Sequence, residues 1–188
     1  MSSILKVDQL KDSGGNEIIT SNGSGTITVN NQTFKNGITE VDQWRLTANL
    51  TSNTDPISAN LERNDSTGFG YIGTGMSVSS GTWTFPSTGI WLIRATRNAE
   101  AIPNDNVILN IRITTDNSTY VTVAVVNDSG DGSSTGNGSA TNEFLFDCTN
   151  TSTHKVQFSA SSISSGSYII GTSSYNSTCF TFIRLGDT

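Results

Sequence analysis

Histidine and serine side chains could together supply a base and a nucleophile, so His154 is the first residue to consider. It is the only histidine in the sequence, and Lys155 follows it at the start of a predicted strand. Serine is abundant, so a Ser-His-Asp triad stays open as an alternative. We interpret His154 as a solvent-exposed histidine at a strand edge, without a catalytic role.

Carboxylate side chains are the second group that could do chemistry, because a pair of them can cleave a glycosidic bond. The acidic residues of the central and C-terminal parts fall mostly in predicted turns, where Asp caps the backbone or faces water. They are Asp105, Asp116, Asp128, Asp131, Glu143 and Asp147. We therefore predict that the protein is not an enzyme, and a polysaccharide-degrading enzyme stays open as an alternative.

The segment from Asn127 to Gly132 reads Asn-Asp-Ser-Gly-Asp-Gly and has some of the oxygen ligands of a calcium loop. It lacks the ligand spacing and the closing Glu of a helix-loop-helix site, so we interpret it as a hydrophilic loop. Cys148 and Cys179 are the only cysteines, and no Cys-x-x-Cys pair or histidine partner indicates a metal site. Two buried thiols are favoured over a disulfide between neighbouring strands. We predict no metal and no cofactor.

Composition and charge narrow the class of protein. Of the 188 residues, 14% are charged and 34% are hydrophobic, and the formal net charge is −6. The ten Lys and Arg residues are scattered, which disfavours a nucleic-acid partner, because phosphate binding needs clustered basic residues. No apolar run has membrane-spanning length, and the first ten residues lack the layout of a signal peptide. We expect synthesis and folding in a cytoplasm.

The stretch from Ser80 to Ala95 predicts two strands joined by a tight corner. Trp83 and Phe85 alternate with threonines on the first strand, and Trp91 and Ile93 belong to an almost wholly apolar second strand. A proline ends the first strand because it cannot donate a backbone hydrogen bond, and a glycine permits the turn before the second. We interpret the four named side chains as core residues of the fold.

Short strands recur along the remaining sequence at intervals of about ten residues, and no segment of ten or more residues has a helical period. The clearest pair is a predicted hairpin from Val107 to Val126. The segment from Asn127 to Thr141 is of low complexity and predicts a long loop, and a short strand is expected between Ile163 and Asn176. Eight to ten short strands predict an all-β fold, either a β-sandwich or a closed barrel, and a jelly roll fits the count.

Two domains are predicted. Residues 1–36 contain only short strands and turns, with apolar residues such as Ile4, Val7 and Leu10, and they are too short to form a core alone. Residues 37–188 contain the predicted jelly-roll head. We expect the first part to be stabilised by copies of the chain or by another protein.

Residues 81–93, Gly-Thr-Trp-Thr-Phe-Pro-Ser-Thr-Gly-Ile-Trp-Leu-Ile, resemble the central strand pair of the complement C1q and tumour necrosis factor-like jelly roll. That family has a G-x-aromatic-x-x-Pro-x-x-Gly-x-aromatic-x-hydrophobic run, and the residues in register are Gly81, Trp83, Pro86, Gly89, Trp91 and Ile93. The strand from Ser177 to Ile183 is similar to the family's last strand, although Cys179 replaces an aromatic residue and Thr181 a glycine. The resemblance implies a jelly-roll β-sandwich of about ten strands that forms a homotrimer, has no catalytic activity and binds ligands with surface loops.

Strands that are apolar on both faces are a second reason to expect a trimer. The strands containing Ile90–Ile93 and Tyr120–Val126 are apolar on both faces, and a single sandwich covers only one. Copies of the same chain could cover the other face, and a local loop is the alternative. On this interpretation Trp83, Phe85 and the second strand with Trp91 contribute to a trimer core as well as to the fold.

Residues 4–10, 13–17 and 21–27 are similar to the start of fibre and appendage proteins of tailed bacteriophages. In those proteins such a leader attaches a trimer to the virion. This likeness implies that residues 1–36 bind other virion proteins and that the protein is located in the virion.

Together these observations predict a non-enzymatic structural protein of a tailed-bacteriophage virion, a trimeric tail fibre or receptor-binding protein without membrane insertion. The expected partner is a host-surface glycan or protein, and loops would contact it. The candidate contact residues are Asn127, Asp128, Asp131, Asn137, Tyr168 and Tyr175. A capsid decoration or head-fibre protein is the alternative, and a polysaccharide-degrading tail enzyme is the third hypothesis.

Overall fold

The computed structural model describes residues 9–21, 23–24, 27–29, 37–129 and 132–188. The chain divides into two compact units, Met1–Gly37 and Ile38–Thr188, which we call the N-terminal unit and the head. The described ranges consist of strands, turns and bends, and they include no helix that could cross a membrane. The predicted all-β fold is confirmed.

The N-terminal unit contains an antiparallel sheet in the order β1-β2-β3. Its strands are β1 (Gln9–Lys11), β2 (Glu17–Ser21) and β3 (Ile27–Val29). Asp12 closes the first turn, because its Oδ1 accepts hydrogen bonds from the amides of Gly14 (2.8 Å) and Asn16 (2.9 Å). Hydrogen bonds from the side chain and the backbone of Asn16 lower the pKa of Asp12. Of the predicted apolar positions here, Ile4 and Val7 lie outside the described residues.

The head is a sandwich of two antiparallel sheets. Its strands in the described ranges are β4 (Val41–Leu46), β5 (Leu61–Arg63), β6 (Ser77–Ser79), β7 (Thr82–Thr84), β8 (Gly89–Ala101), β9 (Asn106–Thr114), β10 (Val121–Ser129), β11 (Gly136–Cys148), β12 (Lys155–Ser161), β13 (Tyr168–Ile169) and β14 (Cys179–Gly186). One sheet has the order β10-β9-β12-β7-β6. The other has the order β11-β8-β14-β4-β5, and β13 also pairs with β8. We call them the five-stranded and the six-stranded sheet. The predicted jelly-roll architecture is confirmed.

Trp83 is the central side chain of the core. It lies on β7 of the five-stranded sheet and is 0% exposed. Its ring centroid is 5.0 Å from that of Trp44 and 5.1 Å from that of Phe182, both on the six-stranded sheet. It is also 5.9 Å from Phe158 on its own sheet. Edge-to-face and tilted pairs of this kind join the two sheets by more than their buried area alone.

β8 is the longest strand of the six-stranded sheet, together with β11, and it separates two environments. Side chains alternate along it, so Trp91 and Ile93 are buried between the sheets while Ile90 and Leu92 face outward and are half-buried. β8 pairs with β11 over its whole length, and with β14 and β13 on its other side. The first part of the strand, Ile90–Ile93, is therefore apolar on both faces, as the sequence predicted.

The corner before β8 requires a glycine. Gly89 has a φ of 144°, and a Cβ there would lie 2.5 Å from both Arg184 Nε and the carbonyl oxygen of Gly186. The Trp91 indole donates to the carbonyl of Ser87 at 3.2 Å, which fixes the tryptophan on the same corner.

The predicted long loop from Asn127 to Thr141 is wrong. β10 continues to Ser129 and β11 begins at Gly136, so strands occupy both ends of this polar segment. The strands form because the backbone pairs with β9 on one side and with β8 on the other, and this pairing does not require apolar side chains. The predicted hairpin from Val107 to Val126 and the short strand between Ile163 and Asn176 are confirmed as β9–β10 and β13.

Replacing Trp83 by alanine is expected to lower the free energy of unfolding by about 3–5 kcal/mol, because it removes the ring that joins the sheets and leaves a cavity. Chemical denaturation measures the change when it is followed by the circular dichroism of the backbone, a signal that does not rely on the tryptophan that is removed. Tyr175→Ala is the matched control, since this aromatic ring is 62% exposed and its loss should cost less than about 1 kcal/mol. Equal losses for both variants would contradict the assignment of Trp83 as the centre of the core.

Candidate functional site

The side chains of the six-stranded sheet that point away from the core form its outward face. Directly paired aliphatic residues cross this face in one row. The pairs are Leu145–Leu92, Leu92–Ile183, Ile183–Val41 and Val41–Ile72. Directly paired residues point to the same side of a sheet, so these five side chains form a continuous aliphatic band, which we call the apolar row.

The ends of the apolar row are the most exposed. Leu145 is 60% exposed and Ile72 is 49% exposed, and the three residues between them are half-buried. Leu185 in β14 and Ile38 near its end are also about half exposed. A contiguous apolar surface on a folded domain marks an interaction site.

The outward face becomes polar along β8 beyond the apolar row. In the next row the Arg94 Nη2 atom lies 2.9 Å from a Glu143 carboxylate oxygen, and Gln43 donates to Thr181. Further along, the Thr96 and Thr141 hydroxyls are 3.0 Å apart. The face is therefore divided into an apolar half and a polar half.

A half-buried carboxylate and a glycine turn hold Ile72 beside β4. Ile72 and Val41 exchange two backbone hydrogen bonds of 3.0 Å. A Glu40 carboxylate oxygen accepts hydrogen bonds from the amides of Thr74 (2.8 Å) and Gly75 (3.0 Å). Amides that converge on one carboxylate fix this turn in one position.

Arg63 fixes the segment before Ile72. Its guanidinium binds both carboxylate oxygens of Asp42, which is 1% exposed, and it lies 5.0 Å from the ring centroids of both Trp44 and Tyr71. A guanidinium between two aromatic faces combines cation–π attraction with the ion pair. Tyr71 is thus held in place although it is 49% exposed.

The end of the head at which β8 ends lies opposite the point where the chain enters the head. The chain enters at Ile38, and Arg184 there contacts the Thr39 hydroxyl (3.3 Å) and the Thr88 carbonyl (2.8 Å) just before β8 begins. The 13 residues of β8 span about 40 Å at the usual rise of a strand. We call the far end, with Glu100 and the loop from 132 to 135, the distal end.

Two of the predicted contact residues meet at the distal end. Asn137 and Tyr168 pair with Glu100 from opposite sides, so the three side chains lie in one row on the outward face. A hydrogen bond to the Glu100 carboxylate raises the pKa of Tyr168. Tyr175 is 62% exposed in the loop between β13 and β14 and has no described contact with this row.

The other predicted contact residues belong to β10 or the segment after it. Asn127 is exposed and pairs with Ile108, and Asp128 pairs with Val107 near the start of β9. Both register positions are therefore also at the distal end. They are strand rather than loop positions, which corrects the sequence prediction. Asp131 lies outside the described residues.

His154 is not the exposed strand-edge residue that the sequence predicted. It is half-buried, and its ring centroid is 5.6 Å from that of Phe146. Its two ring nitrogens are each 3.1 Å from a threonine hydroxyl, of Thr149 and Thr153. These described partners do not include the serine and carboxylate of a triad. Residues 132–136 have the spacing Gly-x-Ser-x-Gly, but they lead into β11 and not into the helix of a nucleophile elbow.

Three of the candidate carboxylates have separate structural partners: Asp105 accepts a hydrogen bond from Ser164, Glu143 pairs with Arg94, and Asp116 binds its own turn. The Asp116 Oδ1 atom accepts hydrogen bonds from the amides of Thr119 and Ser118 and from a threonine hydroxyl, which lower the pKa of Asp116. Glu143 and Asp147 lie on one strand four residues apart, about 13 Å at the usual rise. That separation exceeds the spacing of the carboxylate pair in a glycoside hydrolase.

The two cysteines are free. Cys148 pairs with Gly89 on one side of β8, and Cys179 pairs with Thr96 on the other side, seven residues further along. This separation does not permit a disulfide within one chain. Among the described residues no group of three or more His, Cys, Asp and Glu side chains could hold a metal ion.

No protein-family model matches the chain, and no curated protein sequence matches it significantly. Solved structures do match its fold. An Eiger TNF structure from S. frugiperda is 9% identical, with a TM-score of 0.58, and the match covers 79% of this chain and 93% of that one. Murine APRIL at pH 5.0 is 10% identical, with a TM-score of 0.54, over 78% and 98% of the two chains.

A third match is PRD1 vertex protein P5. It is 15% identical to this chain, with a TM-score of 0.50, and the match covers 80% of this chain and 99% of that one. At these identities the likeness shows the fold. The head therefore has the jelly-roll fold of these structures, and the fold resemblance found in the sequence is confirmed.

The cysteine geometry predicts a simple labelling result. Burial raises the pKa of the Cys148 thiol to about 11 and also raises the pKa of Cys179, so both thiols are protonated at neutral pH. We expect maleimide at pH 7 to leave Cys148 unmodified in the folded protein, and to modify both cysteines after unfolding without reductant. Intact-mass spectrometry measures the adducts. An unfolded protein that takes up maleimide only after reduction would show that a disulfide had formed.

Proposed function

We propose that this protein is a non-enzymatic structural protein of a tailed-bacteriophage virion, a homotrimeric fibre that contacts the host surface with its distal end. The apolar row carries the proposal. It places Leu145 and Ile72, each about half exposed or more, at the edges of a continuous aliphatic band. Further copies of the same chain could cover the apolar row without any other protein.

The outward face is large enough for such a contact. β8 gives it a length of about 40 Å, and the four strand spacings from β11 to β5 give a width of about 19 Å. The product is on the order of 800 Å², the area that one partner buries in a stable protein–protein interface. The outward side of the five-stranded sheet offers Val125 as its large exposed aliphatic residue in the described part, and so is the weaker candidate.

The N-terminal unit would attach the trimer to the particle. Leu10 pairs with Ile19, and Ile19 pairs with Val29, so three aliphatic register positions form a row across this small sheet. Three short strands are too few to bury such a row by themselves. Another virion protein or further copies of the chain would supply the cover.

The distal end would supply the host contact. Asn137, Glu100 and Tyr168 offer an amide, a carboxylate and a phenol in one row, groups that form hydrogen bonds with sugar hydroxyls. A trimer presents three copies of this row at once, and simultaneous binding raises the apparent affinity of weak single contacts.

A capsid protein of the same shape is the second candidate. The likeness of the head to PRD1 vertex protein P5 along 99% of that chain supports this alternative. Electron microscopy of particles labelled with antibodies against the head separates the two. Label on the tail supports the fibre, label on capsid vertices or the capsid surface supports the alternative, and absence from particles contradicts both.

Replacing Leu145 by aspartate is expected to convert trimers into monomers, because three charges would enter the proposed interface. Light scattering after size-exclusion chromatography measures the mass. The stability of the separate subunit should change by no more than about 0.5 kcal/mol, since the side chain is mostly exposed. Val125→Asp is the matched control, because this aliphatic strand residue is 55% exposed on the other sheet and its variant should remain trimeric. A monomeric wild-type protein at micromolar concentration would contradict the proposal.

The host contact predicts loss of binding from changes at the distal end. The double variant Asn137→Ala, Tyr168→Ala is expected to bind host cells at least about tenfold more weakly than the wild-type trimer. Flow cytometry with fluorescent protein measures the binding. Thr88→Ala, an exposed change at the opposite end of the head, is the control and should bind normally. Unchanged binding by a trimeric double variant would exclude this row from the contact.

A further inference from the structure

The two ends of the apolar row are both exposed, but they lie on different elements of the head. Leu145 projects from β11, the last strand on its side of the six-stranded sheet in the described part. Ile72 lies on the opposite side of the sheet, beside β4, just before a glycine-rich turn. In one subunit the two side chains are separated by four strand spacings, about 19 Å.

A closed ring of three copies needs two different, complementary patches on each copy. A two-fold dimer brings one patch against itself, whereas a three-fold ring brings one patch of each copy against another patch of the next. The two ends of the apolar row, at Leu145 and Ile72, are two such patches, and they lie at the same position along the strand direction. Rotation about a three-fold axis does not change the position of a residue along that axis. The apolar rows of three copies can therefore join end to end.

We propose that Leu145 of each copy packs against Tyr71 and Ile72 of the next, so that three apolar rows close into one belt around the trimer axis. This inference rests on the proposed trimer and specifies which residues of neighbouring copies meet. The aliphatic side chain of Leu145 would cover the two side chains that remain exposed at the other edge.

The receiving edge is ordered before assembly. Two backbone hydrogen bonds to Val41 fix Ile72, and the Glu40 carboxylate fixes the turn after it. Tyr71 rests on Arg63, 5.0 Å from its guanidinium carbon. Side chains that are exposed but already held in place lose little entropy on binding, which favours association.

The test uses the full chain with Cys179→Ser, so that the half-buried thiol of the outward face cannot react. Cys148 stays, because it is 0% exposed and its pKa is raised to about 11. Into this parent we would introduce Leu145→Cys, Ile72→Cys, or both, and treat each protein with a short bismaleimide. Denaturing electrophoresis then counts the covalently joined chains.

The double variant is expected to give covalent trimers, and each single variant only monomers. The distance of about 19 Å within one subunit is too long for the reagent to join the two positions of one chain. Cross-linked dimers from a single variant would indicate two-fold pairing and overturn the proposal. A double variant that is a trimer by light scattering but is not cross-linked would also overturn the proposal. In that case the proposed function would still stand. A monomeric parent would overturn both.

Discussion

The alternation of side chains along β8 is the constraint on which the head depends. Successive residues of a strand point to opposite faces, so Trp91 and Ile93 can fill the core only if Ile90 and Leu92 lie on the outward face. Both neighbouring strands are paired to β8 in fixed register. One strand therefore sets the position of the aromatic core and of the apolar row, and a shift of one residue would exchange the two sets.

The central strand pair could be predicted from the sequence because its information is local. Alternating aromatic residues, a proline and a glycine occur within sixteen residues, and they define the corner without reference to the remaining chain. The strands at Asn127–Ser129 and 136–141 could not be predicted in the same way. Their residues are Gly, Ser, Asn and Asp with one Ala and one Thr, and apart from the threonine none of them favours a strand. They form strands because β9 and β8 offer backbone partners.

Even less of the candidate site could be predicted from the sequence, because the site depends on pairing between strands. The sequence identifies Ile90–Ile93 as apolar on both faces, but it gives no register between strands. Leu145 and Ile72 join the apolar row only through their pairing with Leu92 and Val41. Ile72 also depends on Glu40, a residue 32 positions earlier, which no local pattern connects with the glycine-rich turn. The polar distal row likewise arises from long-range pairing, and not from the flexible loop that its composition indicated.

The division of the outward face into an apolar and a polar half limits how copies can meet. Copies that point in the same direction align the apolar rows with each other and keep the Arg94–Glu143 pair beside other polar groups. Copies that point in opposite directions can match their apolar rows only near one end, and their polar halves then project away from each other. In the proposed trimer the apolar half would supply most of the free energy of association, and the polar half would favour the parallel arrangement. Parallel copies place every distal end on the same side, which is the geometric requirement for binding one surface several times at once.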